Sequence, residues 1–341
     1  MKILSLVIAI LSLAHVSSAQ WIKQTVDTTA SLRGLSVVSE KIVWASGTGG
    51  TVIRTVDGGK TWWVMTIPGA EKLDFRDIEA FDEHTAYVLS IGNGESSQVY
   101  KTTDGRTWSL VFKNTDEKAF FDALACRDRD NCLALSDPVN GRFILLGPNR
   151  GVTLSRTKQI QSASFFQDYS GPVAEEGEAA FAASGTCLVT QGFYKTFIVT
   201  GGKNARVFQR TYDGNWTISD PGFAKGTPGS GIFSIAMFDL KKGVIVGGNY
   251  EKPDEAKDNL AFTTDGGETW KLGSGLSGYR SAVTYVNKKT IIAVGTNGSD
   301  ITRDGGKTWK MLGKEDLNAV QSKGRKATWA VGPKGRVYRL K

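Results

Sequence analysis

The chain has 341 residues and a formal net charge of +8, long enough for two average domains or one long all-β domain. Its lysines and arginines are spread along the sequence rather than clustered, which argues against a nucleic-acid footprint. With only two histidines, His15 and His84, there is little material for zinc sites or His-based triads, and no cofactor or metal is expected.

In chain order, Lys2 followed by the apolar run Ile3 to Ala14 reads as a secretory signal, too short to span a bilayer comfortably. Ser17-Ser18-Ala19 places cleavage after Ala19; an uncleaved signal anchor is the alternative. The mature chain is then expected to be secreted or periplasmic, with no transmembrane segment. Leu35–Val38, Ile42–Ser46, Val52–Thr55 and Trp62–Met65 read as four short strands joined by tight turns, a β-meander. We label its strands a to d.

The unit returns from Phe75 to Val111, from Phe121 to about Leu154, and from Thr186 through the turn at Asp213. Further units start at Ile232 and at Tyr279. A last one, from Leu317 to Leu340, has only three strands. Gln20–Thr25 supplies the missing fourth, because Trp21 matches the Trp that opens each strand d. A seven-bladed β-propeller over residues 20–341 follows, with blade 7 composed of 316–341 and 20–26, so that the ring has no open edge. The stretch from Arg156 to Glu178 is the longest irregular insert, and such loops are usually functional or mobile. Cys126 and Cys132 flank a polar turn between two apolar runs, where a disulfide is one of two open outcomes; Cys187 reads as a buried core residue.

Each c–d turn carries a repeated octapeptide. It is complete at Thr55–Trp62, Thr263–Trp270 and Thr302–Trp309, one residue shorter at Thr102–Trp108, and eroded at Gly147–Leu154 and Thr211–Trp216. Asp57, Asp104, Asp265 and Asp304 can accept hydrogen bonds from their own turns. Trp62, Trp108, Trp270 and Trp309 can bury apolar area between blades. The box is therefore expected to be structural.

These octapeptides resemble the Asp-box of bacterial neuraminidase repeats, found in sialidases, xyloglucanases, sortilin-type receptors and the photosystem II stability/assembly factor family. The run from Ser36 to Trp62 most resembles the last group. That resemblance implies a seven-bladed propeller with a scaffold or binding role, arginines on one face holding a client.

Successive connections in a meander alternate between the two faces of the ring. The boxes are c–d turns and share one face with the a–b turns, here the box face. The d–a and b–c loops gather on the other, the mouth face, where propellers place ligand sites. The residues opening strand a are Arg33, Arg76, Asp122, about Ser184, Phe233, Arg280 and Asn318. Arg280, Asn318, Arg33 and Arg76 fall on consecutive blades. With Arg142 and Lys252 from the b–c loops they are the candidate ligand-binding residues, because a guanidinium presents a planar fork to carboxylate or phosphate. The expected partner is a protein or an acidic glycan, bound by a monomer without catalysis. The alternative is a sialidase-like glycosidase. Arg33, Arg76 and Arg280 would then hold the substrate carboxylate, with Asp122 or Asp137 as acid and Tyr250 with Glu178 as nucleophile pair. Against it, Leu32-Arg33-Gly34-Leu35 and Phe75-Arg76-Asp77-Ile78 lack the proline of the sialidase Phe/Tyr-Arg-Ile-Pro motif.

Overall fold

The computed structural model describes residues 20–148, 166–168, 170–192, 195–211 and 213–341. Alternating apolar residues on short strands, broken by turn residues, build seven four-stranded antiparallel meanders. Blade 1 comprises Leu32–Val37, Val43–Gly47, Thr51–Thr55 and Trp63–Thr66. Blade 2 comprises Phe75–Ala80, Ala86–Ser90, Gln98–Thr102 and Ser109–Lys113. The remaining strands a are Phe121–Asp128, Leu188–Gln191, Ser230–Met237, Ala282–Tyr285 and Ala319–Ser322. The only helices among the described residues are single turns, Gly94–Ser96 and Arg325–Ala327.

The ring closes as the sequence predicts. Trp21–Lys23 pairs antiparallel with Arg336–Leu340, setting Trp21 opposite Leu340. Strand d of blade 3 is a correction: it is Phe166–Asp168, and the segment around Leu154 expected to form it lies outside the described residues, as does the predicted signal. Another difference is a small ladder, Glu178–Ala179 with Gly201–Gly202, which joins blade 5 through Gly201 and Gly231. Cys126 and Cys132 are register partners across the a–b hairpin of blade 3 and are joined by a disulfide, while Cys187 is free and buried.

The boxes of blades 1, 2, 5 and 6 each reach the blade before. In box 1 the Asp57 carboxylate accepts the backbone N–H groups of Lys60 at 2.9 Å and Thr61 at 3.0 Å, and the hydroxyls of Thr55 and Thr61. These donors hold its pKa down at about 2. Asp104, Asp265 and Asp304 repeat the pattern. Gly59 has φ +89°, and a Cβ there would stand 2.6 Å from the Trp329 ring of blade 7. Gly267 meets Phe197 of blade 4 and Gly306 meets Phe262 of blade 5 in the same way. Trp62 packs edge-on against Trp329 at 5.7 Å, and Trp108 against Trp44 at 6.2 Å, so each box Trp here spans a blade boundary.

At the inner end of strand a the a–b ladder slips by one residue in blades 1, 2, 3 and 5, at Arg33, Arg76, Asp122 and Phe233. A β-bulge re-aims the side chain of its extra residue. Arg33, Arg76, Asp122 and Phe233 are thus set apart from the ladder by the same local device.

Candidate functional site

The mouth of the channel is filled by the chain itself. Residues 180–185, between the Glu178–Ala179 strand and blade 4, cross it and are held by five other blades. Arg33 Nη1 donates to the Ala183 carbonyl and Arg76 Nη1 to the Ala182 carbonyl, both at 3.2 Å. The Ala180 N–H donates to Asp137 Oδ1 at 2.8 Å, and Ser184 Oγ donates to the Ser281 carbonyl at 2.9 Å. Phe181 stacks on Phe233 with centroids 3.8 Å apart, and Phe233 in turn meets Tyr279 and Tyr250 edge-on. Gly185, at φ +76°, lies so close to Asp77 that a Cβ would stand 2.3 Å from its carboxyl carbon. Apart from Phe181 the path is lined by small residues: five of the six between 180 and 185 are Ala, Ser or Gly.

The two mouth arginines differ in their partners. Arg76 pairs with Asp74 at 2.7 Å. Among the described residues Arg33 is ion-paired with no carboxylate, and its one hydrogen bond goes to Ala183. Burial, and then the neighbouring Arg76 charge, lower its pKa. Half-buried guanidinium groups with unused donors favour an added anion.

Beneath the plug lie three carboxyl groups. Burial pushes Asp77 up to about 7 and Asp137 up to about 6. Asp122 is pushed well above the usual range by burial first and Asp137 second, and its Oδ2 is buried without a hydrogen-bond partner. Asp77 accepts the N–H groups of Ile78 and Leu124 at 2.8 and 2.6 Å. The Cys187 thiol is raised in pKa by burial and then by Asp122, which keeps it protonated and unreactive.

A pH dependence follows. A carboxyl group whose pKa is raised on folding binds its proton more tightly in the native state, so stability falls as pH rises from the unfolded value of 3.8 through the folded value of about 6. We expect the urea-unfolding free energy to drop between pH 4 and pH 7, and Asp137→Asn to remove about 2–3 kcal/mol of that drop. An identical pH profile in the variant would rule out Asp137 as a source.

The sequence candidates divide accordingly. Arg33, Arg76, Asp122 and Asp137 gather at the mouth. Asn318 is buried, with Nδ2 donating to the Leu32 carbonyl at 2.9 Å, and serves the blade 7–blade 1 junction. Arg142 is exposed and donates to the Gly171 carbonyl at 2.8 Å. Lys252 is exposed beside a shallow cleft of about 350 Å³ shared with Lys225 and Lys257. Arg280 is a correction. Its fully buried guanidinium points into its own blade, onto Asp300 at 2.6 Å and Asn297 at 2.6 Å, away from Arg33 and Arg76. Glu178 is another: its buried carboxylate is taken by Arg206, by the Thr200 hydroxyl at 2.6 Å and by the Glu175 N–H at 2.9 Å. Tyr250 stays half-exposed against Phe233, so the expected Tyr–Glu pair is not formed. A larger cleft of about 660 Å³ opens beside the plug, between Phe120, Asp137, Pro138 and Glu175–Ala179. Sequence reading missed the plug itself; its signal was the run of small residues just before the blade 4 unit.

A family model, the BNR/Asp-box repeat, matches residues 261–272, which hold the box at Asp265. No curated protein matches the sequence. Among solved structures, "YCF48 bound to D1 peptide" superposes with a TM-score of 0.64 at 16% identity, covering 94% of this chain and 95% of that one. YCF48 from Cyanidioschyzon merolae gives 0.66 at 15% identity, covering 94% and 98%. The WD40 repeats of RRP9 give 0.61 at 11% identity, covering 96% and 98%. At these identities the shared property is the propeller fold.

Proposed function

We propose that this chain is a non-enzymatic scaffold that binds a protein partner on its mouth face, with Arg33 and Arg76 receiving a carboxylate of that partner. The observation that carries the reading is Arg33, a half-buried cation beside a second arginine, with no carboxylate ion-paired to it among the described residues. The similar fold titled YCF48 bound to D1 peptide supports a protein segment as the ligand. The sialidase-like alternative loses support because Arg280 and Glu178 are engaged elsewhere. The Cys126–Cys132 bridge supports work in an oxidising compartment, in keeping with export after cleavage at Ala19.

The test is affinity capture from the envelope and secreted fractions of the source organism with wild type and Arg33→Gln/Arg76→Gln. The captured protein is identified and its affinity measured. We expect the double variant to stay folded and to bind at least about tenfold more weakly, equivalent to about 1.4 kcal/mol. Unchanged affinity would refute the arginine site. Turnover of any member of a panel of acidic glycosides would refute the non-enzymatic reading.

A further inference from the structure

The opposite face carries a second feature that the mouth does not explain. The a–b turns of three consecutive blades present Lys241-Lys242, Lys288-Lys289 and Arg325-Lys326. None of these six cations has an ion pair with a carboxylate among the described residues. Three carboxylates of this part of the box face are spent on turns. Asp239 accepts the N–H groups of Lys241 and Lys242 at 2.8 and 2.7 Å, and feels both Lys242 and Lys288. Asp265 and Asp304 hold their own boxes. The other half of the face differs. The a–b turns of blades 2 and 3 bring Asp82-Glu83 and Asp128 with Asp130, and Asp82 pairs with Arg129 there.

Apolar side chains stand among these cations. Leu240, at the tip of the blade 5 turn, is 58% exposed beside Lys241. Ile22 on the closing strand is 43% exposed, in a groove of about 520 Å³ that it shares with Arg325, Lys326, Arg339 and Lys341. The Lys341 N–H donates to the Gln20 carbonyl at 2.9 Å, so the chain enters the fold at this groove.

We propose that the box face over blades 5 to 7 docks onto an anionic lipid bilayer. The lysine and arginine turns would meet the headgroups, and Leu240 and Ile22 would enter the interface. Juxtaposed basic and apolar side chains are what binding at an anionic interface requires, since charge brings the protein to the surface and apolar area holds it there. Nucleic acid would use the cations alone and has no need of exposed Leu240. An acidic protein likewise gives no reason for exposed Leu240 and Ile22 among the cations.

The test uses the propeller from Gln20 onward, with sedimentation against vesicles of phosphatidylcholine alone or with about one-third phosphatidylglycerol. We expect sedimentation only with the anionic vesicles, weakening as salt rises. Lys241→Glu/Lys242→Glu and Arg325→Glu/Lys326→Glu should each lower the partition coefficient at least about tenfold. Leu240→Ser should lower it severalfold while leaving net charge and any retention on DNA-cellulose unchanged. These are exposed positions, and a thermal melt confirms that each variant is folded. Failure to sediment with anionic vesicles at low salt would overturn the proposal. So would retention on DNA-cellulose at the vesicle affinity with Leu240→Ser without effect on either.

Discussion

Replacing Arg280 with alanine is expected to cost about 3–5 kcal/mol of folding stability, because it strands a buried carboxylate. The guanidinium and the Asp300 carboxylate have side chains that are 0% and 1% exposed. Besides Asp300, the arginine donates to the Tyr279 carbonyl and Ser277 Oγ, both at 2.5 Å. Asp300 accepts the Ser277 N–H at 3.0 Å. Removing the cation leaves all of these groups facing one another without water. Urea unfolding of Arg280→Ala measures the loss, and a change below about 1 kcal/mol would show that the pair is not desolvated. Arg280→Met/Asp300→Leu should recover most of the stability, since an apolar pair of similar volume replaces a buried ion pair at little cost. Arg280→Ala is therefore unsuitable as a binding-site control: any binding it abolishes would report the fold. Arg33→Gln, at a half-buried position, is the better probe.

This residue also shows how far the sequence could be read. The blade count, the composite last blade and the role of the boxes were legible because each is local and repeated. A turn needs its Asp, its glycines and its Trp wherever it recurs, and period-2 strands announce themselves. Register at the inner rim is local in blades 1 to 3, where Arg33, Arg76 and Asp122 are the slipped residues of strand a. In blade 6 that register was read one residue out. Ala282 pairs with Val294 as Gly34 pairs with Ser46, so Ser281 stands where Arg33 does and Arg280 stands where the buried Leu32 does, which turns it away from the mouth and onto Asp300. Nothing in the string Tyr279-Arg280-Ser281 says that a carboxylate waits on strand c twenty residues on. The plug was hidden for a related reason. Ala180–Gly185 has no period, and its partners Arg33, Arg76, Asp137 and Ser281 are spread over the ring. Strand d of blade 3 moved because the eroded box no longer marked it.

Trp21→Ala is the second large expected effect, at about 3–5 kcal/mol, the usual range for emptying a core site of this size. The indole is 6% exposed, packs with Ile292, Ala282 and Leu340, and donates its ring N–H to Ser299 Oγ at 2.9 Å. It thus ties the closing strand to blade 6 as well as to blade 7. Denaturant unfolding should show the loss, and hydrogen exchange should show the 336–340 amides losing protection before the other blades. Trp21→Phe should retain most of the packing while leaving Ser299 Oγ without its donor. If Trp21→Ala leaves exchange in 336–340 unchanged, the ring is held shut by something other than this strand.

The register of that closing pair has a mechanical consequence. Trp21 lies opposite Leu340 and Lys23 opposite Tyr338, so the outward ends of the two strands sit side by side at the same end of the ladder. Tension applied between residues 20 and 341 would load the Lys341–Gln20 bond first, then the next, one rung at a time. The molecule would unzip, at low force, instead of shearing all its closing bonds together. A tether on either flank, pulled against the other, would therefore open the ring at blade 7 while the boxes still held the remaining blades in line.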